Sequence, residues 1–281
     1  MTAPSARRRD ARVTFGIAML ALLALGALLG PALSLSSAAD LGDVASRRFV
    51  GPLARTADGV LHLLGTDGFG RDLAARLLVG ARVSLAVGLL AALAASGIGV
   101  LLGALAGYAG RGTDRVITVF TDAALAIPRV PLLLLLVALF QPGIAITVAA
   151  IGLTGWMPVA RLVRAEVRGV RQRAFVEAAH ALGVSAPRVV VRHVLPHAAA
   201  PALVATALGV GNAIMLEAGL SFLGLGVQPP TPSWGNMIAA GRDALVVAPW
   251  VALAPALLVA LAVLACSLLA DGLEAALAGE R

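Results

Sequence analysis

Residues 177–196 read EAAHALGVSAPRVVVRHVLP and lie between two long apolar stretches of the chain. The segment is polar and arginine-rich, has helical periodicity, and carries a glycine, Gly183, near its middle. A polar helical segment between membrane spans indicates a docking element and not a catalytic site. The fold class therefore depends on the apolar stretches around it.

The composition is that of an integral membrane protein. Hydrophobic residues make up 59% of the 281 residues, charged residues make up 13%, and the mean hydropathy is +0.93. A soluble domain of this composition would have too few polar side chains to cover its core. All basic residues are arginines, which, with abundant Ala and Gly, indicates a coding bias. Aromatic residues at 4% offer no stacking platform for bases, so no nucleic-acid partner is predicted.

Six stretches are apolar enough to span a membrane, since a spanning helix needs about 20 mostly apolar residues. They predict an all-α, polytopic membrane protein with about six transmembrane helices. The predicted spans are residues 13–35, 83–108, 116–140, 144–163, 200–218 and 250–270. The third is interrupted by Asp122, Pro128, Arg129 and Pro131.

The orientation follows from the basic residues before the first span, which are Arg7, Arg8, Arg9 and Arg12. The positive-inside rule places that end in the cytoplasm. Four crossings later the chain is inside again, so the arginine-rich loop at residues 166–197 is predicted to be cytoplasmic. Six crossings place both termini there.

The first span also has features of a secretory signal, because a basic start, an apolar run and the small residues 36–39 follow in order. Its apolar run is longer than the roughly 7–15 residues of a signal peptide. An uncleaved signal anchor is therefore favoured, with cleavage as the alternative. Cleavage would leave the orientation of the other spans unchanged.

The segment before Gly183 predicts a short helix. Phe175, Ala178, Ala179 and Leu182 recur at steps of three and four residues, which indicates one small, apolar face from which Glu177 and His180 point away. Such a face can lie against another protein.

A second helix is predicted directly after the first. Gly183 stands where a helix C-cap is expected, because glycine adopts positive φ at little cost. Ser185 and Pro187 can begin the next helix as N-cap and first-turn proline. Pro196 is predicted to end it just before the fifth span.

This loop resembles the cytoplasmic signature of ABC importer permeases, in which a helix pair inserts into a groove of the ATPase subunit. The signature is Glu-Ala-Ala, three residues, Gly, nine residues, and a stretch ending Leu-Pro. His193 departs from the aliphatic residue usual at its position, but the dipeptide and oligopeptide branch resembles residues 192–196 closely. The matching residues are Glu177, Ala178, Ala179, Gly183, Leu195 and Pro196.

Three further segments resemble the same branch: residues 62–72, residues 217–235, and Asp271-Gly272-Leu273. The resemblance covers most of the chain from His62 onward and implies the type I importer permease fold. Residues 1–60 are then a tail, the first span and an outer segment. Residues 61–281 form the permease domain, with the ATPase-coupling loop at 166–197.

The resemblance implies the C-type permease subunit of an ATP-driven uptake system for di- or oligopeptides in the bacterial inner membrane. Its implied partners are a second homologous permease subunit in a heterodimer, two ABC ATPase subunits, an extracytoplasmic substrate-binding protein and membrane lipid. ATP hydrolysis belongs to the ATPase subunits, so the chain itself is not expected to be an enzyme. Nickel chelates, glutathione and opines remain alternative substrates.

Two acidic residues in the spans are candidates for a translocation pathway. An ionisable group inside a membrane is costly, so Asp122 is a candidate, although Arg129 could neutralise it in a structural pair. Glu217, near the outer end of the fifth span, could meet a peptide amino terminus or a cation. The alternative is a carboxylate hydrogen-bonded to nearby groups.

The segment 224–235 has three prolines, three glycines and no apolar period, which predicts an outer loop or re-entrant hairpin. Trp234 within it suits an interfacial anchor.

Other motifs do not support chemistry on this chain. Residues 65–70 are glycine-rich but match no nucleotide-binding pattern and are predicted to form a turn. His193 and His197 are spaced like helical metal ligands, yet Pro196 is expected to break the helix between them and no Cys or Glu completes a set. Cys266, the only cysteine, lies in an apolar run. No cofactor and no metal site are predicted.

Two other classes of protein remain as alternatives. A membrane-embedded enzyme would need clustered catalytic groups, and the one dense polar cluster is arginine with a single glutamate. An ion channel or secondary transporter would work without an ATPase.

Overall fold

The structure is a computed structural model that describes residues 4–33, 44–56 and 59–279. Helices dominate this part of the chain and confirm the predicted all-α, polytopic fold. They are α1 (Pro4–Leu33), α2 (Val44–Arg47), α3 (Leu73–Tyr108), α4 (Arg111–Leu125), α5 (Arg129–Leu139), α6 (Ile144–Leu153), α7 (Trp156–Arg171), α8 (Ala174–Ala181), α9 (Ala186–Val189), α10 (Leu195–Phe222), α11 (Trp234–Gly241) and α12 (Trp250–Gly279). Residues 34–35 of the predicted first span and residues 36–39 of the alternative cleavage site lie outside the described residues.

Five described helical stretches are long and apolar enough to cross a membrane. They are Val13–Gly30, Leu73–Tyr108, Ile144–Arg171, Ala186–Phe222 and Trp250–Leu277. A sixth span exists only if α4 and α5 count as one, and these two helices meet at an angle of 84°. The predicted third span, 116–140, is therefore not one straight helix but is bent at the interruption around Pro128.

Pro128 explains this bend. It has no backbone N–H to continue the hydrogen bonds of α4, and it disfavours helical geometry at Ile127 before it. The helix ends at Leu125, and a new one begins after Pro128, whose carbonyl accepts a hydrogen bond from the N–H of Leu132. The polar α4 and the apolar α5 can thus run in different directions.

Glycines at four-residue intervals bring α3 and α7 into close contact. A Cβ added at Gly99 would lie 2.6 Å from the Val159 Cβ, and one at Gly103 would lie 2.6 Å from the Ala160 carbonyl oxygen. One at Gly107 would lie 2.7 Å from the Val167 Cβ. Small residues at this spacing allow two membrane helices to pack backbone against backbone. Among the described residues, α3 and α7 make the most extensive contact between two helices.

The helix contacts define two ends of the molecule. At the first, which we call the loop end, Tyr108 of α3 contacts His180 of α8, and Val13 of α1 lies against Gly272 of α12. At the second, the hairpin end, the indole of Trp234 at the start of α11 bonds to Leu77 near the start of α3. Gly30 near the end of α1 lies against Leu78 near the start of α3, so α1 begins at the loop end. The residue 172–197 loop, the start of α1 and the end of α12 therefore share one end. This arrangement agrees with six passages of the chain through the membrane, of which α4 and α5 together form one.

A two-stranded hairpin precedes α3 at the hairpin end, with Ala54–Arg55 (β1) paired antiparallel to Leu61–His62 (β2). Asp72 caps α3, since its Oδ1 accepts a 2.8 Å hydrogen bond from the Ala75 N–H and its Oδ2 lies 2.7 Å from His62 Nδ1. Gly65 and Gly70 adopt positive φ, and the chain turns there as predicted.

Candidate functional site

The turn between α8 and α9 is rigidly built. Gly183 has φ +77°, its N–H donates to the His180 carbonyl at 2.9 Å, and the Val184 N–H donates to the Ala179 carbonyl at 3.1 Å. These two bonds form a Schellman motif, which requires a residue in the left-handed region at this position. The predicted helix, glycine turn and second helix are confirmed. We call α8, α9 and this turn the loop helix pair.

The apolar face of α8 differs from the prediction. Val176 is 0% exposed and Ala179 is 8% exposed, because both pack inward against the membrane helices. Ala179 therefore does not lie on the surface with Phe175 and Leu182, which are 40% and 84% exposed. We call the exposed surface the outer face of α8. Its side chains are Phe175, Glu177, Ala178 and Leu182.

The second helix does not end at Pro196, and that prediction is wrong. After α9 the chain continues through a π-helical segment, Val190–Val194, directly into α10. The Leu195 N–H donates to the carbonyl of Val190, five residues earlier. Pro196 then lies in the first turn of α10, where a missing N–H costs little. The loop helix pair is thus joined to α10 without a break.

Pro196 therefore does not separate His193 from His197, because both residues lie on one continuous helical path. The His197 ring instead lies 5.5 Å from the Phe175 ring of α8, centroid to centroid. Among the described residues no group of three or more His, Cys, Asp or Glu side chains could hold a metal ion.

One apolar cluster links the loop helix pair to the membrane helices. It contains Val176 and Ala179 of α8, Val189 of α9 and Val194 of the π-helical segment. The cluster continues into three membrane helices with Ala104 of α3, Val159, Val163, Val167 and Val170 of α7, and Ala198 and Ala202 of α10. Because a close-packed cluster transmits displacement, a displacement of α8 also moves α3, α7 and α10.

Polar contacts strengthen the same connection. Tyr108, the last residue of α3, shares a 2.9 Å hydrogen bond between its Oη and His180 Nε2, and the two rings stack. Arg171, at the end of α7, donates from Nη1 to the Tyr108 carbonyl at 2.9 Å. The ends of α3, α7 and α8 are therefore held together.

Asp122 does not pair with Arg129, so that expectation is wrong. It accepts a 2.6 Å hydrogen bond from Arg161 Nη2 on α7, and both side chains are about half exposed. Asp114, on the same helix, bonds to Arg164, with an Nη2–Oδ2 distance of 2.9 Å. The bend at Pro128 turns Arg129 away from α4, which explains the change of partner. Both acids thus connect α4 to α7.

Glu217 is fully buried at the junction of α3, α10 and α11. Ser84 Oγ donates to its Oε2 at 2.8 Å and Ser221 Oγ donates to its Oε1 at 2.7 Å. The same hydroxyls accept the N–H groups of Trp234 and Val227. Of the two roles left open by the sequence, the hydrogen-bonded carboxylate is the arrangement that the structure contains.

Trp234 is not an interfacial anchor, contrary to the prediction. It is 0% exposed and begins α11, and its indole Nε1 donates to the Leu77 carbonyl at 3.2 Å. Ser233 and Asn236 cap α11 reciprocally. The capped helix turns the indole inward against α3, and its N–H is satisfied there.

A cavity of about 440 Å³ lies between α3, α7 and α10, close to the middle of α3 and α10. Its lining is largely apolar, with Ala91, Ile151, Ala205 and Leu208 among the residues present. The polar side chains that line it are those of Ser96, Arg129 and Asn212.

Arg129 reaches this cavity because α6 ends at Leu153 and α7 starts at Trp156. Its Nη2 donates to the Ile151 carbonyl at 3.2 Å, and its Nε lies 3.4 Å from Thr154 Oγ1. A Cβ at Gly155 would stand 2.9 Å from Nη2, so the glycine leaves room for the guanidinium. The sequence reasoning missed this site, although an arginine in an apolar stretch is a signal for one.

A protein-family model described as "Binding-protein-dependent transport system inner membrane component" matches residues 99–279. The chain is 38% identical over 262 residues to a dipeptide transport system permease protein of Alkalihalophilus pseudofirmus, covering 93% of this chain and 84% of that one. It is 46% identical over 210 residues to a probable peptide ABC transporter permease protein of Sinorhizobium fredii, covering 75% and 72%.

A further relative is a glutathione transport system permease protein of Pectobacterium atrosepticum, 40% identical over 216 residues, covering 77% of this chain and 72% of that one. Among solved structures, a chain of the inward-facing MetNI methionine ABC transporter is similar at a TM-score of 0.57 and 18% identity. The match covers 72% of this chain and 95% of that chain. This structural likeness concerns the fold.

Proposed function

The chain belongs to the family of binding-protein-dependent transport system inner membrane components, and on this premise we propose that it carries di- or oligopeptides across the cytoplasmic membrane. It is a multi-pass permease subunit of an ABC importer and has the type I importer permease fold. ATPase and substrate-binding protein partners follow from the family.

The apolar cluster beneath α8 is the observation that carries the proposed mechanism. Because Val176, Ala179 and Val189 pack with α3, α7 and α10, movement of the loop helix pair moves the membrane helices with it. The outer face of α8 remains free for an ATPase subunit. Closure of two ATPase subunits around ATP would push this face and alternate the access of the pathway.

The residues assigned to ATPase coupling have distinct places in this mechanism. Glu177 and Ala178 lie on the outer face, Ala179 anchors α8, and Gly183 shapes the turn. The remaining two, Leu195 and Pro196, begin α10. We expect the loop of residues 166–197 to act as one lever within a permease domain of residues 61–281.

The proposed assembly contains a second, homologous permease subunit, so that the pathway forms between two related chains, with two ATPase subunits on one side and the binding protein on the other. The positive-inside rule supports a cytoplasmic loop end, since Arg168, Arg171, Arg173, Arg188 and Arg192 are there. Both termini would then be cytoplasmic.

A pathway role for Asp122 and Glu217 stays a prediction. Both have partners within the chain, Arg161 for Asp122 and two serines for Glu217. A role in transport would require these contacts to change when the second permease subunit is present.

The names of the relatives support peptides as the substrate class. Glutathione is a second candidate, because the identity to the glutathione permease of Pectobacterium atrosepticum, 40%, lies between the identities to the two peptide permeases, 38% and 46%. Glutathione is itself a small peptide, so both candidates share free carboxylates and amide groups.

Uptake by the complete, reconstituted transporter tests the proposal. We expect ATP-dependent accumulation of a labelled dipeptide in vesicles only when the binding protein and the ATPase subunits are present. Labelled glutathione in parallel separates the two candidates. Peptide accumulation without ATP, or purification of the chain without an ATPase, would point to a channel or secondary transporter and contradict the proposal.

A further inference from the structure

We propose that the cavity between α3, α7 and α10 is a binding site for a carboxylate of the transported peptide and that Arg129 is its anion ligand. The inference rests on the proposed function and deepens it, because it names the group by which the membrane subunit itself would hold its substrate.

Arg129 is a cation without a counter-ion among the residues that the structure describes. None of the ion pairs among the described residues includes it, and Asp122, the acid expected to neutralise it, is bound to Arg161. Its side chain is half-buried at the depth where α3 and α10 have their midpoints. A charge in that position is costly unless it is paired or faces a water-filled path. An anion entering the cavity would supply the missing partner.

The hydrogen bonds of Arg129 hold the guanidinium in place and leave part of it available. Nη2 and Nε contact Ile151 and Thr154, whereas Nη1 has no hydrogen-bond partner in the described part of the chain. A guanidinium presents its donors in a planar fork that fits a carboxylate. Gly155 lies against this group and leaves the space that a side chain would fill.

The start of α7 adds a second, independent attraction for an anion. Gly155 and Pro158, which flank the first turn of this 16-residue helix, line the cavity. In the described part of the chain no side chain caps that end of the helix. The first N–H groups of a helix and its dipole favour negative charge, and broken membrane helices hold anionic substrate groups in this way in other transporters.

The remainder of the cavity suits a small peptide. Its volume of about 440 Å³ falls within the range of roughly 300–1,000 Å³ typical of small-molecule sites. The amide of Asn212 lines it and makes no hydrogen bond within the described residues, so it is free to bond to a peptide group. The apolar walls would accept side chains of varied shape.

Transport of a tripeptide and of its C-terminal amide, measured in the reconstituted complete transporter, tests the inference. The binding protein is saturated with each compound beforehand, and its affinity for both is measured separately, so that the comparison reports the membrane step. We expect Arg129→Gln to lower the maximal rate for the free acid about tenfold and to change the rate for the amide much less. Arg129→Lys, which keeps the charge, should retain part of the preference.

Arg115→Gln is the matched control, because Arg115 is an exposed arginine on α4 that does not line the cavity. Equal losses for the acid and the amide in Arg129→Gln would overturn the inference and leave the proposed function standing. Loss of the second permease subunit from the purified Arg129→Gln complex would also overturn it, because Arg129 would then pair with that subunit. Absence of peptide transport by the wild-type complex would instead overturn the proposed function itself.

Discussion

Ser84 Oγ and Glu217 Oε2 are 133 residues apart in sequence and form a 2.8 Å hydrogen bond inside the membrane region. The serine also accepts the backbone N–H of Trp234, so one hydroxyl connects α3, α10 and α11. Burial of a carboxylate is tolerated only where its oxygens have partners. This contact therefore closes the hairpin end of the molecule.

Replacement of this carboxylate should destabilise the protein. Glu217→Ala removes the acceptor of two buried hydroxyls and leaves a void, which we expect to cost about 2–4 kcal/mol of unfolding free energy. Glu217→Gln keeps the volume and one acceptor and should cost less. Thermal unfolding of the purified complex in detergent provides the measurement. Glu274→Ala, at an exposed glutamate on α12, is the control, and equal midpoints for Glu217→Ala and this control would contradict the prediction.

The contact between α3 and α7 should tolerate no side chain on its glycines. Gly103→Ala places a Cβ 2.6 Å from the Ala160 carbonyl oxygen and should destabilise the protein by about 1–3 kcal/mol through overpacking. Gly97, on the same helix, has open space around it, so Gly97→Ala should leave stability unchanged or raise it slightly. The two variants are compared by the fraction of protein that stays folded after heating. Equal folded fractions for Gly103→Ala and Gly97→Ala would show that α3 and α7 can move apart without loss of stability, which would contradict the prediction.

A β-branched residue in the α8–α9 turn should uncouple transport. Gly183 has φ +77° with open space around it, so Gly183→Val strains the backbone without a clash, at a cost of about 1–2 kcal/mol or more. The turn should then reposition the outer face of α8. We expect the variant to reach the membrane but to show much lower ATP-driven uptake than the wild type.

Gly169→Val is the matched control for that experiment, since Gly169 also has open space but lies inside α7 with ordinary φ. It should retain most of the uptake. Normal uptake by Gly183→Val would exclude the turn as a coupling element.

The outer face of α8 should bind the ATPase subunit mainly through apolar contact. Leu182 is 84% exposed in the single chain, and its burial in a complex would contribute about 1.5–3 kcal/mol. Leu182→Ala should therefore weaken co-purification of the ATPase subunit about tenfold or more without changing thermal stability. Leu253→Ala, at an exposed leucine of α12, is the control. Retention of the ATPase subunit by Leu182→Ala would locate its binding elsewhere.

Local patterns predicted much of the fold because they act over a few residues. The glycine turn at Gly183 and the helix starting after Ser185 follow from conformational preferences that neighbours hardly change. Pro196 is a local failure of the same reasoning, because the π-helical segment just before it places it in the first turn of α10 and not at a helix end. Most other failures involve partners distant in the chain.

Side-chain partners were the least predictable feature. Spacing along one helix suggested Arg129 as the partner of Asp122, yet the bend of 84° at Pro128 separates them and gives Asp122 to Arg161. Trp234 lies in a Pro- and Gly-rich segment that favours an interfacial anchor, but its side chain is buried and bonds to Leu77. Neither contact, Asp122 with Arg161 or Trp234 with Leu77, produces a periodic pattern in the sequence from which it could be predicted.

The sequence by itself determined that this chain crosses the membrane several times and to which family it belongs, because hydropathy and short motifs are local properties. That residues 166–197 face a partner stays a prediction. Only the tertiary structure decided that Ala179 anchors α8, that Glu217 joins three helices and that Arg129 faces a cavity at mid-depth. The physical reason is that burial and charge pairing depend on which helices pack together. Helix bends and close contacts at glycines determine that packing.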